Sequence, residues 1–216
     1  MKCELVLDNF PDKQALQDEN CCPVDRALTC MSRAVEGACG RTTICRDGLY
    51  QIYTIISDIA RGKGRGDDMI LLRDLCNTIV IDGECPLSIA AANAVMESLD
   101  TFPDVWEKHC NRKLCDKMVC IGCYTLYIDP AVCDGCGECI KAAPEGSIIG
   151  GSGMVHIIKD EATVKQIDYQ TMCPKSAFKK AGAVKPQLPS EPVPVGTAVQ
   201  TKGLQRRRRP SRLGNS

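Results

Sequence analysis

At 216 residues the chain is long enough for two small units, each with a modest core. Its 27 basic and 27 acidic residues cancel, which removes any global pull toward nucleic acid or anionic lipid, and no apolar run reaches the roughly 18 residues that cross a bilayer. The N-terminus M-K-C-E-L-V-L-D-N-F lacks the apolar core of a signal peptide, so the 16 cysteines are expected in the reducing cytoplasm, where clustered thiols mean metal rather than disulfides.

In chain order, L-V-L-D at 5–8 reads as a short strand, and V-D-R-A-L-T-C-M-S-R-A-V-E at 24–36 has apolar residues at helical spacing. Helical patterns follow at 43–61, 67–80 and 86–99, the first two separated by Gly62, Gly64 and Gly66, and a short helix is expected at 103–109 behind Pro103. Short connections imply antiparallel neighbours, hence a small helical bundle over 1–109. A cysteine-dense connector occupies 110–123, and a compact unit at 124–182 carries strands at Tyr124–Ile128 and Met154–Ile158. From 183 to 216 the chain is rich in Pro, Val and Gln and ends in R-R-R-R-P-S-R-L-G-N-S; with few large apolar residues it is expected to be a disordered basic tail. The fold class expected is therefore α+β.

The stretch C-D-G-C-G-E-C-I-K-A-A-P at 133–144 resembles the bacterial ferredoxin run C-x2-C-x2-C-x3-C-P, with Ala143 at the fourth position. In that run three cysteines hold one cubane and the fourth reaches the other cluster. The complementary remote ligand is a downstream Cys-Pro, present here as Cys173-Pro174, whereas no second cysteine triple precedes it. Both losses remove the same second site. Cys133, Cys136, Cys139 and Cys173 are thus expected to hold a single [4Fe-4S] cluster in a ferredoxin-like iron–sulfur domain, with Gly135 and Gly137 letting the backbone wrap closely. A four-cysteine zinc site fits less well, because zinc ribbons pair two C-x2-C knuckles.

In the helical part, A-C-G-R-T-T-I-C-R-D-G at 38–48 and G-E-C-P-L-S-I-A-A-A-N-A-V at 83–95 resemble two motifs of the flavin-carrying, NADH-oxidising 51 kDa subunit of respiratory complex I. The resemblance covers about residues 5–109. A C-terminal ferredoxin module is the arrangement of the related subunits of NAD-linked bifurcating hydrogenases and formate dehydrogenases. It implies that Cys39, Cys45 and Cys85 are ligands of a second iron–sulfur cluster, but Thr42 stands where the family has a fourth cysteine. A hydroxyl is a poor iron ligand beside thiolate, so the site is one thiolate short unless Cys30 or Cys22 substitutes. Cys3, Cys21, Cys30 and Cys76 lack ligand spacing and otherwise read as buried apolar thiols.

The connector H-C-N-R-K-L-C-D-K-M-V-C-I-G-C at 109–123 contains a C-x2-C knuckle, Cys120 and Cys123, suited to tetrahedral zinc with an imidazole as a further ligand. Cys115, Cys120, Cys123 and His156 are the candidate zinc ligands, the resemblance supporting Cys115, Cys120 and His156. The function expected is single-electron transfer in an NAD(P)-linked oxidoreductase complex, beside flavin- and NAD(P)-binding and other iron–sulfur subunits. No nucleophile, base or glycine-rich nucleotide loop after a strand is legible, so catalysis by the chain alone is not expected. The alternative is a zinc-organised interaction or scaffold module with an Arg-rich tail.

Overall fold

The computed structural model describes residues 21–184 and 186–197. The strand expected at 5–8, Cys3 and the arginine run lie outside the described residues. The chain divides into two compact units. One includes the helices through Thr125 and takes back Lys180–Val184; the other consists of Leu126–Lys179 and the described residues after Lys185.

In the first unit, α1 spans Pro23–Gly37, α2 Leu49–Ala60, α3 Asp68–Asp82, α4 Pro86–Thr101 and α5 Pro103–Glu107. Proline at the first turn starts α1, α4 and α5, where its missing N–H is not needed. Each long helix buries one stripe: Val24, Ala27, Met31 and Ala34 on α1; Leu49, Ile52, Ile56 and Ile59 on α2; Leu72, Cys76 and Ile79 on α3; Leu87, Ala91, Val95 and Leu99 on α4. Helix α1 packs against α2 and α4, and α3 against α4. Trp106 on α5 is fully buried and donates its indole N–H to Ser98 Oγ at 3.1 Å, so its polar atom is satisfied inside the core.

Two helices are interrupted by a wider π turn. One, Ile44–Gly48, leads into α2 and holds Cys45; the other, Lys108–Arg112, follows α5 and holds His109. Such turns tilt side chains away from the regular helical register. The glycines after α2 serve the next segment. A Cβ on Gly62, which has φ 75°, would lie 2.6 Å from the Gly122 carbonyl oxygen, and Gly122 N–H donates to Ala60 O at 3.0 Å. The connector therefore lies directly on the end of α2.

β1 (Thr125–Ile128) pairs with β4 (Phe178–Ala181), and within the second unit β2 (Ile148–Ile149) runs antiparallel to β3 (Ile157–Ile158) with Ile148 opposite Ile158. Two short helices, α6 at Glu138–Ala142 and α7 at Glu161–Lys165, connect them. Asp160 caps α7 by accepting from Thr163 N–H at 3.2 Å. The expected strand at Met154–Ile158 is shorter, because Met154 bridges instead to Pro194. Residues 186–197 also depart from the expected structureless tail. Val155 N–H donates to Val193 O at 2.7 Å and Val195 N–H to Gly153 O at 3.0 Å. This addition uses main-chain groups, so the scarcity of large apolar side chains does not prevent it. Among the described residues no helix is long and apolar enough to cross a membrane.

Candidate metal centres

Four buried side chains of the first unit converge: Cys22, His109, Cys115 and Cys120, with all ligand atoms within 4.8 Å of one another. Cys22 is the residue before Pro23 at the N-terminus of α1. His109 sits in the second π turn, and its Nδ1 lies 2.8 Å from Val105 O. A proton on Nδ1 satisfies that carbonyl and turns the lone pair of Nε2 toward the sulfurs, the arrangement in which metal-bound imidazoles are oriented. Cys115 and Cys120 belong to a tight loop closed by Met118 N–H to Cys115 O, Cys123 N–H to Cys120 O and Cys115 N–H to Cys123 O.

The spacing identifies the kind of group that fits. Cys120 Sγ is 3.7 Å from Cys22 Sγ, and Cys22 Sγ is 3.5 Å from His109 Nε2. Two thiolates on one zinc, each with a bond of about 2.3 Å, stand about 3.8 Å apart at the tetrahedral angle, and a thiolate and imidazole nitrogen about 3.6 Å. In a cubane each thiolate has its own iron, which sets the ligand sulfurs farther apart. The constellation therefore fits a single tetrahedral ion. Its electrostatics agree: thiols of Cys120 and Cys22 donating to Cys115 hold Cys115 well below the ordinary thiol range. Burial alone would lower His109, but Cys115 and Cys22 raise it to about 10, so a metal ion binding there would displace the Nε2 proton.

Of the four zinc ligands expected from sequence, Cys115 and Cys120 are in this group. Cys123 is buried nearby, with Sγ 3.6 Å from Ile59 O and 3.8 Å from Ala60 O. His156 belongs to the second unit, where its Nδ1 lies 3.1 Å from Cys139 Sγ.

The second unit gathers Cys133, Cys136, Cys139 and Cys173. Burial pushes the Cys139 thiol up to about 11, with further contributions from the charges of Cys133, Cys173 and Cys136 beside it. Gly135 and Gly137 have φ 72° and 79°, a backbone that other residues adopt only with strain. A Cβ on Gly135 would lie 2.7 Å from the Met154 nitrogen, so this loop is pressed against 153–154. Ala177 N–H donates to Cys173 Sγ at 3.4 Å, as main-chain amides do to cluster thiolates. The donor set, four thiols with wrapping amides, suits an iron–sulfur cubane.

In the bundle, Cys45 is buried in the first π turn, Cys85 precedes Pro86 at the start of α4, and Cys39 lies half-buried between α1 and that turn. Thr42 accepts a hydrogen bond from Cys45 N–H at 3.3 Å, so its hydroxyl stabilises the turn that carries Cys45. Cys30, the substitute ligand considered from sequence, is buried in α1 with its thiol pushed up to about 12 by burial.

Residues 25–109 match the NADH-ubiquinone oxidoreductase-F iron–sulfur binding region. This part of the chain is similar to that family's iron–sulfur binding region. Cys39, Cys45 and Cys85 all fall inside the matched family region. The NADP-reducing hydrogenase subunit HndC of Solidesulfovibrio fructosivorans is 33% identical over 141 residues, which are 65% of this chain and 29% of that protein. An NADH-quinone oxidoreductase subunit of Streptomyces coelicolor is 32% identical over 104 residues, 47% of this chain and 23% of that one. The NADP(+)-dependent formate dehydrogenase subunit beta of Moorella thermoacetica is 41% identical over 80 residues, 36% and 11% respectively. The chain thus spans less than a third of each of these relatives.

Sequence reasoning left Cys22 and His109 out of the zinc set. A signal for Cys22 was present: the chain has Cys-Pro at 22–23, 85–86 and 173–174, and the second and third of these carry expected cluster ligands. His109 was visible in the connector, but its role depends on the π turn, which leaves no periodic trace.

Proposed function

We propose that this chain is an iron–sulfur electron-transfer component of an NAD(P)-linked oxidoreductase assembly. Its ferredoxin-like unit holds one [4Fe-4S] cluster on Cys133, Cys136, Cys139 and Cys173. What supports this reading is the Cys133, Cys136 and Cys139 triple with its downstream Cys173-Pro174, together with the influence of the charges of Cys133, Cys173 and Cys136 on the buried Cys139. When bound, such a cluster supplies a one-electron redox centre whose potential follows ligation, burial and hydrogen bonding. The chain supplies four thiolates, the Gly135–Gly137 wrap and the Ala177 amide at Cys173.

In the bundle, Cys39, Cys45 and Cys85 are ligands of a second, thiolate-poor cluster site. Cys22, His109, Cys115 and Cys120 hold a structural zinc that fixes the connector to the start of α1. The glycine-rich stretch at 62–66 joins α2 to α3 and follows no strand, so it is a helix-hairpin turn rather than a phosphate cradle. Electrons arrive from a flavin- and NAD(P)-binding part of the assembly and leave to a further iron–sulfur subunit.

Anaerobic purification with iron, sulfide and zinc counts tests the reading. Cys136→Ala and Cys173→Ala should lose the same quantity of iron and sulfide and retain zinc. A Cys173→Ala protein with the full iron complement would overturn the ligand set. Colourless wild-type protein with zinc and no sulfide would favour an interaction module instead.

A further inference from the structure

We infer that His156 is a positioning residue for the ferredoxin-like cluster, donating a hydrogen bond from Nδ1 to the Cys139 thiolate and raising the cluster's reduction potential. The inference rests on the cluster assignment proposed above. His156 is 1% exposed, and its Nδ1 lies 3.1 Å from Cys139 Sγ. Its other nitrogen, Nε2, is buried with no hydrogen-bond partner among the described residues.

These two facts fix the tautomer. Neutral imidazole has one N–H. Placed on Nε2, the proton would be a buried donor without an acceptor, the costlier kind of unsatisfied group. It would also leave the bare lone pair of Nδ1 facing Cys139. A thiolate that ligates iron is an acceptor only, so two lone pairs would then oppose each other at hydrogen-bond distance. With the proton on Nδ1, the contact becomes a charge-assisted N–H···S bond. The reduced cluster has the more negative sulfurs, so it gains more from the donor than the oxidised cluster does, and the potential rises.

The surroundings hold the ring in place. It lies against Gly150, where a Cβ would strike the ring carbon Cδ2, so glycine is required for this placement. On the following side, β3 pairs with β2, and Val155 just before it is tied to Val193. A freely rotating surface histidine would have none of these constraints.

The experiment is potentiometry of the full chain, with the ferredoxin-site signal identified by its loss in Cys173→Ala. His156→Phe keeps a ring but removes the donor. It should retain iron and sulfide while shifting the oxidised-to-reduced ratio about tenfold toward oxidised, a fall of about 59 mV for one electron. His156→Asn, whose amide reaches the position of Nδ1, should recover most of the shift. Gly150→Ala should lower the potential by displacing the ring.

Nitrogen-15 labelling of histidine provides a readout in the unaltered protein, which has 2 histidines. Electron spin echo spectra of the reduced cluster should show a nitrogen coupling in wild type that His156→Phe removes. A fully loaded His156→Phe protein with the wild-type potential would overturn the inference. If that variant does not load, absence of the histidine coupling in wild type overturns it. Failure of Cys173→Ala to lose iron refutes the cluster assignment itself, a separate result.

Discussion

Cys22→Ala removes one of the four converging ligands and leaves the 115–123 loop untouched. Structural zinc sites have apparent binding free energies of roughly 10–16 kcal/mol, so an even share for one of four ligands is roughly 2.5–4 kcal/mol. That corresponds to about two to three powers of ten in affinity. Competition against a chromophoric chelator, with zinc counted by mass spectrometry, should register this loss for Cys22→Ala and for His109→Ala. Cys123→Ala is the control, because its sulfur faces the Ile59 and Ala60 carbonyls, and it should bind zinc as the parent does. The reasoning fails if Cys22→Ala and His109→Ala keep parental affinity while Cys123→Ala or His156→Ala loses it.

Thr42→Cys should raise iron content at the bundle site, or convert a three-iron paramagnetic signal into a four-iron one; no change would mean that another residue already completes the set. The turn should survive the replacement with a small loss of stability, about 1 kcal/mol or less, since the Thr42 hydroxyl makes one hydrogen bond there. Cys76 is held at about 12 by burial, so in the folded protein it should resist iodoacetamide at neutral pH and react once denatured. Its raised value favours the protonated native state, so its contribution to stability is complete below the ordinary thiol value of 9.0 and is lost as pH rises toward about 12. Denaturant titrations of wild type and Cys76→Ala at increasing pH should show that difference; equal slopes would refute it.

The bundle helices were legible because each buries a stripe at helical spacing between proline starts and glycine breaks, as in Val24, Ala27, Met31 and Ala34. The strands were less so. Strands of two residues, such as Ile148–Ile149 and Ile157–Ile158, are too short for alternation to register. The attachment of Val193 and Val195 was invisible because backbone groups make it. Sequence spacing brought Cys133, Cys136 and Cys139 together, since close neighbours in the chain cannot stray far. It could not do the same for Cys22, which lies 98 positions before Cys120. His156 drew notice as a metal ligand, while the fold turns it toward a sulfur and leaves its outer nitrogen buried.

The pairing of Cys22 with Cys120 also has a consequence for synthesis. As the ribosome extends the chain, Cys22 emerges first, His109 follows only after the residues of α1 to α4, and Cys120 comes later still. Closing a flexible loop across the 98 positions between Cys22 and Cys120 would cost about 4 kcal/mol in chain entropy. Folding of the intervening helices removes most of that cost in advance, so a single ion can lock the bundle after the connector has appeared. With zinc bound as proposed, metal capture would be complete only once the connector has been made, and a nascent chain stalled before Cys115 would offer only part of the site.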